Sequence, residues 1–258
     1  MRRPVLHALL VSLALSGLGM AFALWSVGGP KALLKVGELA PRHVVYAAIA
    51  LAASFLFAGG RLVFICYSLG YKVRLRHAIR AHLLGMFTAA VTPGGSGSIA
   101  GLALTLDLQG MDKAKSWAAA LATMSADTTF HAWAMPASLI ALYSMGVYPR
   151  TPLWTAVGIG TILLTVALAY VLLFKVAWLK PLVGRVLRGP FLRFRRAGLR
   201  FADRFIASSE MLATAPLWKH GVVQLLTALA WATFFMVLYF LLRGLGVSIG
   251  LWLALVGQ

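Results

Sequence analysis

Long apolar segments are the feature that most constrains the fold of this chain. Four stretches, at 5–27, 44–67, 153–174 and 221–242, are nearly free of charge, and about 20 such residues cross a bilayer as one helix. A fifth stretch, at 117–145, is apolar with a polar centre, and a sixth begins at Leu245. Backbone inside lipid must satisfy its own hydrogen bonds, and these segments lack the alternation of barrel strands. The sequence therefore predicts an all-α, polytopic integral membrane helix bundle.

The placement of charge indicates the kind of partner. Charged residues make up only 12% of the chain, yet its formal net charge is +18. The basic residues cluster beside apolar segments, where the positive-inside rule and anionic headgroups would hold them. We therefore expect membrane phospholipids, anionic ones above all, as partners, and no nucleic acid. The predicted location is the cell inner (plasma) membrane, multi-pass, with a cytoplasmic N-terminus. No pattern indicates an oligomeric state.

The stretch AVTPGGSGSIAGLAL at 90–104 places a glycine-rich turn between apolar flanks. If 81–106 crossed the membrane once, the basic segment 175–219, with ten Lys and Arg residues, would lie outside the cell. If the chain enters and returns on one side, eighteen of its 24 basic residues are cytoplasmic and five are external. The positive-inside rule favours the second topology. We predict a re-entrant helical hairpin with its tip at 92–97.

Two interpretations of this tip remain open. Backbone at membrane depth is tolerated where protein or a watery cavity covers it, and a half-helix that starts near Ser96 or Ser98 would direct its positive dipole end at an anion. Alternatively, the glycines serve only tight packing, with Gly97 and Gly101 in a GxxxG spacing. The first interpretation makes the tip a candidate substrate-binding site formed by Thr92, Gly94, Gly95, Ser96, Gly97 and Ser98.

Ionisable residues inside predicted spans are further candidates, because burying them in lipid is costly. Asp127 lies near the middle of its predicted helix, and His131 follows four residues later on the same face. Arg61 could snorkel to lipid phosphate or pair with Asp127. We hypothesise that Arg61, Asp127 and His131 bind substrate or protons; the alternative is a pair that only fixes helix packing.

One part of the chain resembles a known family. The stretches GGRLVFICYSLGYKVRLRHAIRAHLLGMFTAAVTPGGSGS and GMDKAKSWAAALATMSADTT resemble the flippase-like transmembrane region of bacterial lysylphosphatidylglycerol synthases and related stand-alone membrane proteins. The shared features correspond here to Arg61, 69–72, 92–97 and 110–127. The resemblance implies movement of phospholipid or a lipid-linked headgroup between leaflets. It also implies that lysyl transfer belongs to a separate soluble domain and that a second proline-glycine segment follows the sixth helix.

We therefore expect a single transmembrane domain over 1–258, incomplete at its C-terminus, with a basic cytoplasmic loop at 175–219 that forms interfacial amphipathic helices. The predicted function is a flippase-like membrane protein rather than an enzyme, without catalytic residues or cofactors. The alternative is a proton- or ion-coupled small-solute transporter, which Asp127 and His131 would equally suit. The histidines show no ligand spacing, so no metal site is predicted.

Overall fold

Six α-helices form the part of the chain that the structure describes. The structure is a computed structural model, and it describes residues 39–92, 97–144, 146 and 192–247 together with isolated positions between 158 and 181 and at 250–251. Within these ranges every regular element is a helix, which confirms the predicted all-α fold. The helices are α1 (Pro41–Ser68), α2 (Leu75–Ala90), α3 (Gly97–Leu108), α4 (Lys113–Ser144), α5 (Leu192–Ala213) and α6 (Leu217–Gly244).

The predicted spans at 44–67, 117–145 and 221–242 correspond to α1, α4 and α6. The first and last of these, α1 and α6, are each 28 residues long and are long and apolar enough to cross a membrane. At 1.5 Å per residue they measure about 42 Å, which exceeds the hydrocarbon core of a bilayer. The predicted spans at 5–27 and 153–174, and most of the segment from Leu245, lie outside the described residues.

Helices α1 and α6 pack antiparallel along their whole length. The rings of Tyr46 and Phe240 lie 5.6 Å apart at one end, and those of Phe64 and Trp218 lie 6.0 Å apart at the other. Between them, the Ser54 hydroxyl donates a hydrogen bond of 2.9 Å to the Ala230 carbonyl. The two spans therefore form the frame against which the remaining helices are placed.

Helices α2 and α3 form an antiparallel hairpin with very close backbones. The hydroxyl of Thr88 on α2 donates to the Gly97 carbonyl on α3 at 2.9 Å. A Cβ at Gly101 would overlap the Thr88 side chain, so only glycine permits this approach. Farther along, the Gln109 amide donates to the His77 carbonyl at 3.3 Å. Gly97 and Gly101 therefore allow close helix packing, and the anion-site interpretation of the tip stays a prediction.

The hairpin leaves and rejoins the bundle at one end, which we call the basal end. There the Tyr71 hydroxyl donates to the Gln109 carbonyl at 2.6 Å, and the Lys115 ammonium donates to the Leu69 carbonyl at 2.9 Å. From this end the hairpin extends at least to the level of Phe55, near the middle of α1, where the His82 ring lies 6.4 Å from the Phe55 ring. The hairpin returns the chain to the end that it left, as the predicted re-entrant path requires, and its depth in a membrane stays a prediction.

Helix α4 begins four residues before the apolar window that predicted it, because Asp112 caps its first turn. The Asp112 carboxylate accepts the backbone N–H of Ala114 at 2.9 Å and that of Lys115 at 3.3 Å. The helix then continues through Pro136 to Ser144. Small buried residues on α4, such as Ala118 and Ala119, let it approach the other helices closely.

Helix α5 is amphipathic, as predicted for the basic segment 175–219. Ala202, Phe205 and Ser208 recur every three residues and are buried, on the side that packs against α4. Arg196, Arg200 and Arg204 are exposed, and Arg204 makes a 3.3 Å ion pair with Asp112. The interfacial position of α5 on a membrane stays a prediction.

Candidate functional site

A charged pair lies inside the bundle where α1 and α4 meet. Arg61 is only 1% exposed, and its two terminal nitrogens donate to the two carboxylate oxygens of Asp127, at 2.5 Å and 3.1 Å. This two-point geometry is the strongest form of a charge-assisted hydrogen bond. The hypothesis that Arg61 pairs with Asp127 is therefore confirmed, and the snorkelling alternative for Arg61 does not hold because its guanidinium is enclosed by protein.

Helix α6 completes the surroundings of the pair with two residues that the sequence analysis missed. The hydroxyl of Thr227, which is fully buried, accepts a 3.1 Å hydrogen bond from Arg61. The indole N–H of Trp231 donates to Asp127 at 2.8 Å. Because Thr227 and Trp231 are four residues apart, they share one helix face, and that spacing is the signal the sequence offered. Three helices are thus joined by one polar network.

Of the residues near Asp127, some border the ion pair and others line a cavity beside it. His131 lies 2.7 Å from the backbone carbonyl of Asp127, and its ring packs edge-on against Trp231 at 4.6 Å. It therefore borders the pair without touching the Asp127 carboxylate. Thr123, one turn before Asp127, instead lines a small cavity of about 70 Å³ between the hairpin and α4, which Asp127, His82 and Ser98 also line.

At the hairpin tip, the first described amide of α3 is already bound. The Gly97 N–H donates to the Thr92 hydroxyl at 2.8 Å, and this hydroxyl donates in turn to the Thr88 carbonyl at 2.7 Å. Thr92 and Gly97 therefore stabilise the tip from within. Ser98 lines the smaller cavity together with Asp127. The predicted site residues Gly94, Gly95 and Ser96 lie outside the described residues.

A second cavity, of about 220 Å³, lies between α1, α4, α5 and α6 and was not expected from the sequence. We call it the larger cavity because it exceeds the one beside Asp127. It follows α4 from Ala118 to Thr129, a length of about 16 Å along the helix. Lys219 and His220 border it where α6 begins, at the basal end. Its apolar walls are formed mainly by Phe64, Ile65, Leu121, Leu212 and Val223.

The basal end also carries the basic turn that leads into the hairpin. Lys72, Arg74, Arg76 and Arg80 are all exposed there. Partial desolvation, followed by the charges of Arg76, Arg80 and Arg74, lowers the pKa of His77 below its usual value. His77 is consequently neutral at pH 7, and the positive potential of this end comes from the lysines and arginines.

The fold and the enclosed pair define the class of this protein: a helical membrane protein with an antiparallel helical hairpin beside an ion pair enclosed by three helices. Residues 9–258 match the family described as the lysylphosphatidylglycerol synthase TM region, and the chain belongs to that family. No curated protein and no solved structure matches the chain. The resemblance drawn from the sequence is thus confirmed, and the chain is a membrane protein related to lipid modification or flipping.

Proposed function

We propose that this chain binds phospholipid and moves it, or a lipid-linked headgroup, between the leaflets of the cell membrane. The observation that carries the proposal is the larger cavity, which has apolar walls along its length and the Lys219 ammonium, beside His220, at its basal end. An anionic amphiphile needs this combination, since its phosphate seeks positive charge and its chains seek apolar surface. The partner under this proposal is an anionic membrane phospholipid.

The size of the cavity indicates how much of a lipid it would hold. Sites that enclose a whole drug-sized ligand measure roughly 300–1,000 Å³, and this cavity measures about 220 Å³. It therefore suits a headgroup and the first part of a chain, while the remaining chain stays in the bilayer. Helix α5, whose exposed arginines lie at the same end, would attract anionic headgroups towards the cavity.

The proposal also covers how the protein is oriented in the membrane and whether it changes its lipid chemically. The basal end carries Lys72, Arg74 and Arg76 and would face the cytoplasm of the plasma membrane, with the N-terminus on that side. We also propose that the chain is not an enzyme and uses no catalytic residue or cofactor. Lipid incubated with the purified protein should then be recovered chemically unchanged, which thin-layer chromatography measures.

The proposal is tested with the purified chain in liposomes that contain a fluorescent phospholipid. A membrane-impermeant quencher added outside should eliminate nearly all fluorescence if the protein exchanges lipid between leaflets, and about half if it does not. Ala122 lines the larger cavity, so Ala122→Trp should slow exchange about tenfold or more by filling the space a ligand needs. Ala137→Trp, at an exposed position on the same helix, is the matched control. Exchange by Ala122→Trp at the wild-type rate would contradict the proposal.

One observation favours a proton- or ion-coupled transporter as the second candidate. The smaller cavity brings Asp127, His82, Thr123 and Ser98 together in about 70 Å³, which is space for a water or an ion rather than a lipid. This candidate predicts movement of protons or a soluble solute without lipid exchange. A pH-sensitive dye trapped in the same liposomes distinguishes the two functions.

A further inference from the structure

Three side-chain oxygens around the larger cavity have no hydrogen-bond partner within the described residues. They are the hydroxyls of Ser125 and Ser209 and the amide oxygen of Gln224, all of them buried atoms. Ser125 as a whole is only 2% exposed. Buried polar groups are normally paired, because an unpaired one loses its hydration and gains nothing in return. Their position around one cavity makes that cavity a candidate binding site for a polar group.

The orientation of Gln224 specifies what the ligand must offer. Its amide nitrogen donates to the Ala126 carbonyl on α4, at 3.4 Å. Since a carbonyl only accepts, the end of Gln224 that meets Ala126 is the NH2 group, and the unpaired end is the oxygen. An amide oxygen accepts hydrogen bonds and cannot donate them. The group that satisfies Gln224 must therefore carry an O–H or N–H donor.

Two residues that could bind a phosphate, Lys219 and His220, lie about one helical turn away from this acceptor. His220 precedes Gln224 by four residues on α6, a rise of about 6 Å, and Lys219 is adjacent to His220. Both border the same cavity. A phosphate held by Lys219 and His220 would thus place its polar substituent next to Gln224 and Ser125.

We propose that the larger cavity is a phospholipid headgroup site that selects headgroups bearing hydroxyl or ammonium hydrogen-bond donors, with Gln224 as the selecting acceptor. This inference rests on the proposed function and adds the residue that determines specificity. Phosphatidylglycerol, with two hydroxyls, and phosphatidylethanolamine, with an ammonium group, meet the requirement. Phosphatidylcholine has a similar size and a phosphate, but its quaternary ammonium has no hydrogen to donate.

Native mass spectrometry of the full chain in detergent, titrated with each of the three lipids, tests the inference. We expect phosphatidylglycerol and phosphatidylethanolamine to bind about tenfold more tightly than phosphatidylcholine, the effect of one hydrogen bond made or lost. Gln224→Leu keeps a similar volume without the acceptor and should abolish this preference, while its binding of phosphatidylcholine stays unchanged. Gln224→Glu keeps an acceptor and should retain the preference.

The chain offers a matched control in Gln109. Its amide also donates to a backbone carbonyl, and its oxygen also has no partner in the part of the chain that the structure describes. It lies at the base of the hairpin, away from the larger cavity. Gln109→Leu should leave the lipid preference intact. If Gln224→Leu fails to fold, Ser125→Ala provides the second test and should weaken the preference in the same direction.

The outcomes separate this inference from the proposed function. Equal binding of all three lipids, or an undiminished preference in Gln224→Leu, overturns the inference even where lipid exchange is observed. Selective binding without exchange upholds the inference and removes the translocation proposal. Binding of glycerol 3-phosphate or inorganic phosphate as tightly as lipid would show a soluble-anion site and would also overturn it.

Discussion

At the scale of single residues, the Arg61–Asp127 pair shows what the sequence reveals and what it conceals. Both residues could be recognised from the sequence because a charge in an apolar window is conspicuous. Thr227 and Trp231 offered only their four-residue spacing, which did not single them out because a hydroxyl and an indole are common in membrane helices and their role depends on how α6 packs. The polar atoms around the larger cavity were missed for the same reason, since they come from α4, α5 and α6.

Removing one member of the Arg61–Asp127 pair should lower the stability of the protein, whereas removing both should be tolerated. Asp127→Asn leaves the enclosed Arg61 charge uncompensated, so we expect a loss of about 3–5 kcal/mol in stability, measured as a lower melting temperature in detergent. Arg61→Met combined with Asp127→Leu should restore most of that loss. Asp107→Asn on α3 is the control.

The double variant also decides between the functional and the packing interpretation of the pair. If the double variant is stable but exchanges no lipid, the charges serve transport. If it exchanges lipid at the wild-type rate, the pair only fixes helix packing and the hypothesis that Arg61 and Asp127 bind substrate is wrong.

At the scale of elements, the hairpin was predictable because charge and length acted together. Two apolar half-spans of about ten residues each, with basic residues at both outer ends, leave only one topology that keeps the basic segments on one side. The close contact between α2 and α3 follows from Gly97 and Gly101. The start of α4 was placed too late because hydropathy does not register a capping residue such as Asp112.

Cysteine labelling should place both ends of the hairpin on one side of the membrane. Cys66 is fully buried and should not react, so new cysteines can be introduced directly. Lys72→Cys and Lys113→Cys, at exposed positions at the basal end, should react with an impermeant maleimide only after cells are permeabilised. Val247→Cys, which is exposed beyond the opposite end of α6, should react in intact cells. Labelling of Lys72→Cys and Lys113→Cys from opposite sides would remove the re-entrant topology.

At the scale of the whole molecule, charge is distributed unevenly along the bundle. The basal end carries the turn before the hairpin, the start of α4 and the exposed face of α5, whereas the described residues at the other end include only Arg42 and Arg243 as basic groups. This asymmetry was evident from the sequence and agrees with the arrangement of the helices. The family match covers residues 9–258.

Anionic lipid should associate with the basal end through α5. Each basic residue near a charged membrane surface contributes about 1 kcal/mol, so Arg196→Gln combined with Arg200→Gln should reduce co-purifying anionic lipid by roughly tenfold or more. The amount is measured by mass spectrometry of the detergent-purified protein. Arg42→Gln combined with Arg243→Gln, which removes the same charge at the other end, should have little effect. An equal loss in both double variants would show that α5 has no special role.

Arg61 and Asp127 are far apart in the order in which the ribosome makes them. Arg61 is made 66 residues before Asp127, and at about 5–20 residues per second the ribosome needs roughly 3 to 13 s to cover that distance. During that interval the guanidinium lacks its partner Asp127, and burying an unpaired charge in lipid is costly. We therefore expect the nascent α1 to stay beside the insertion machinery, or partly in water, until α4 emerges.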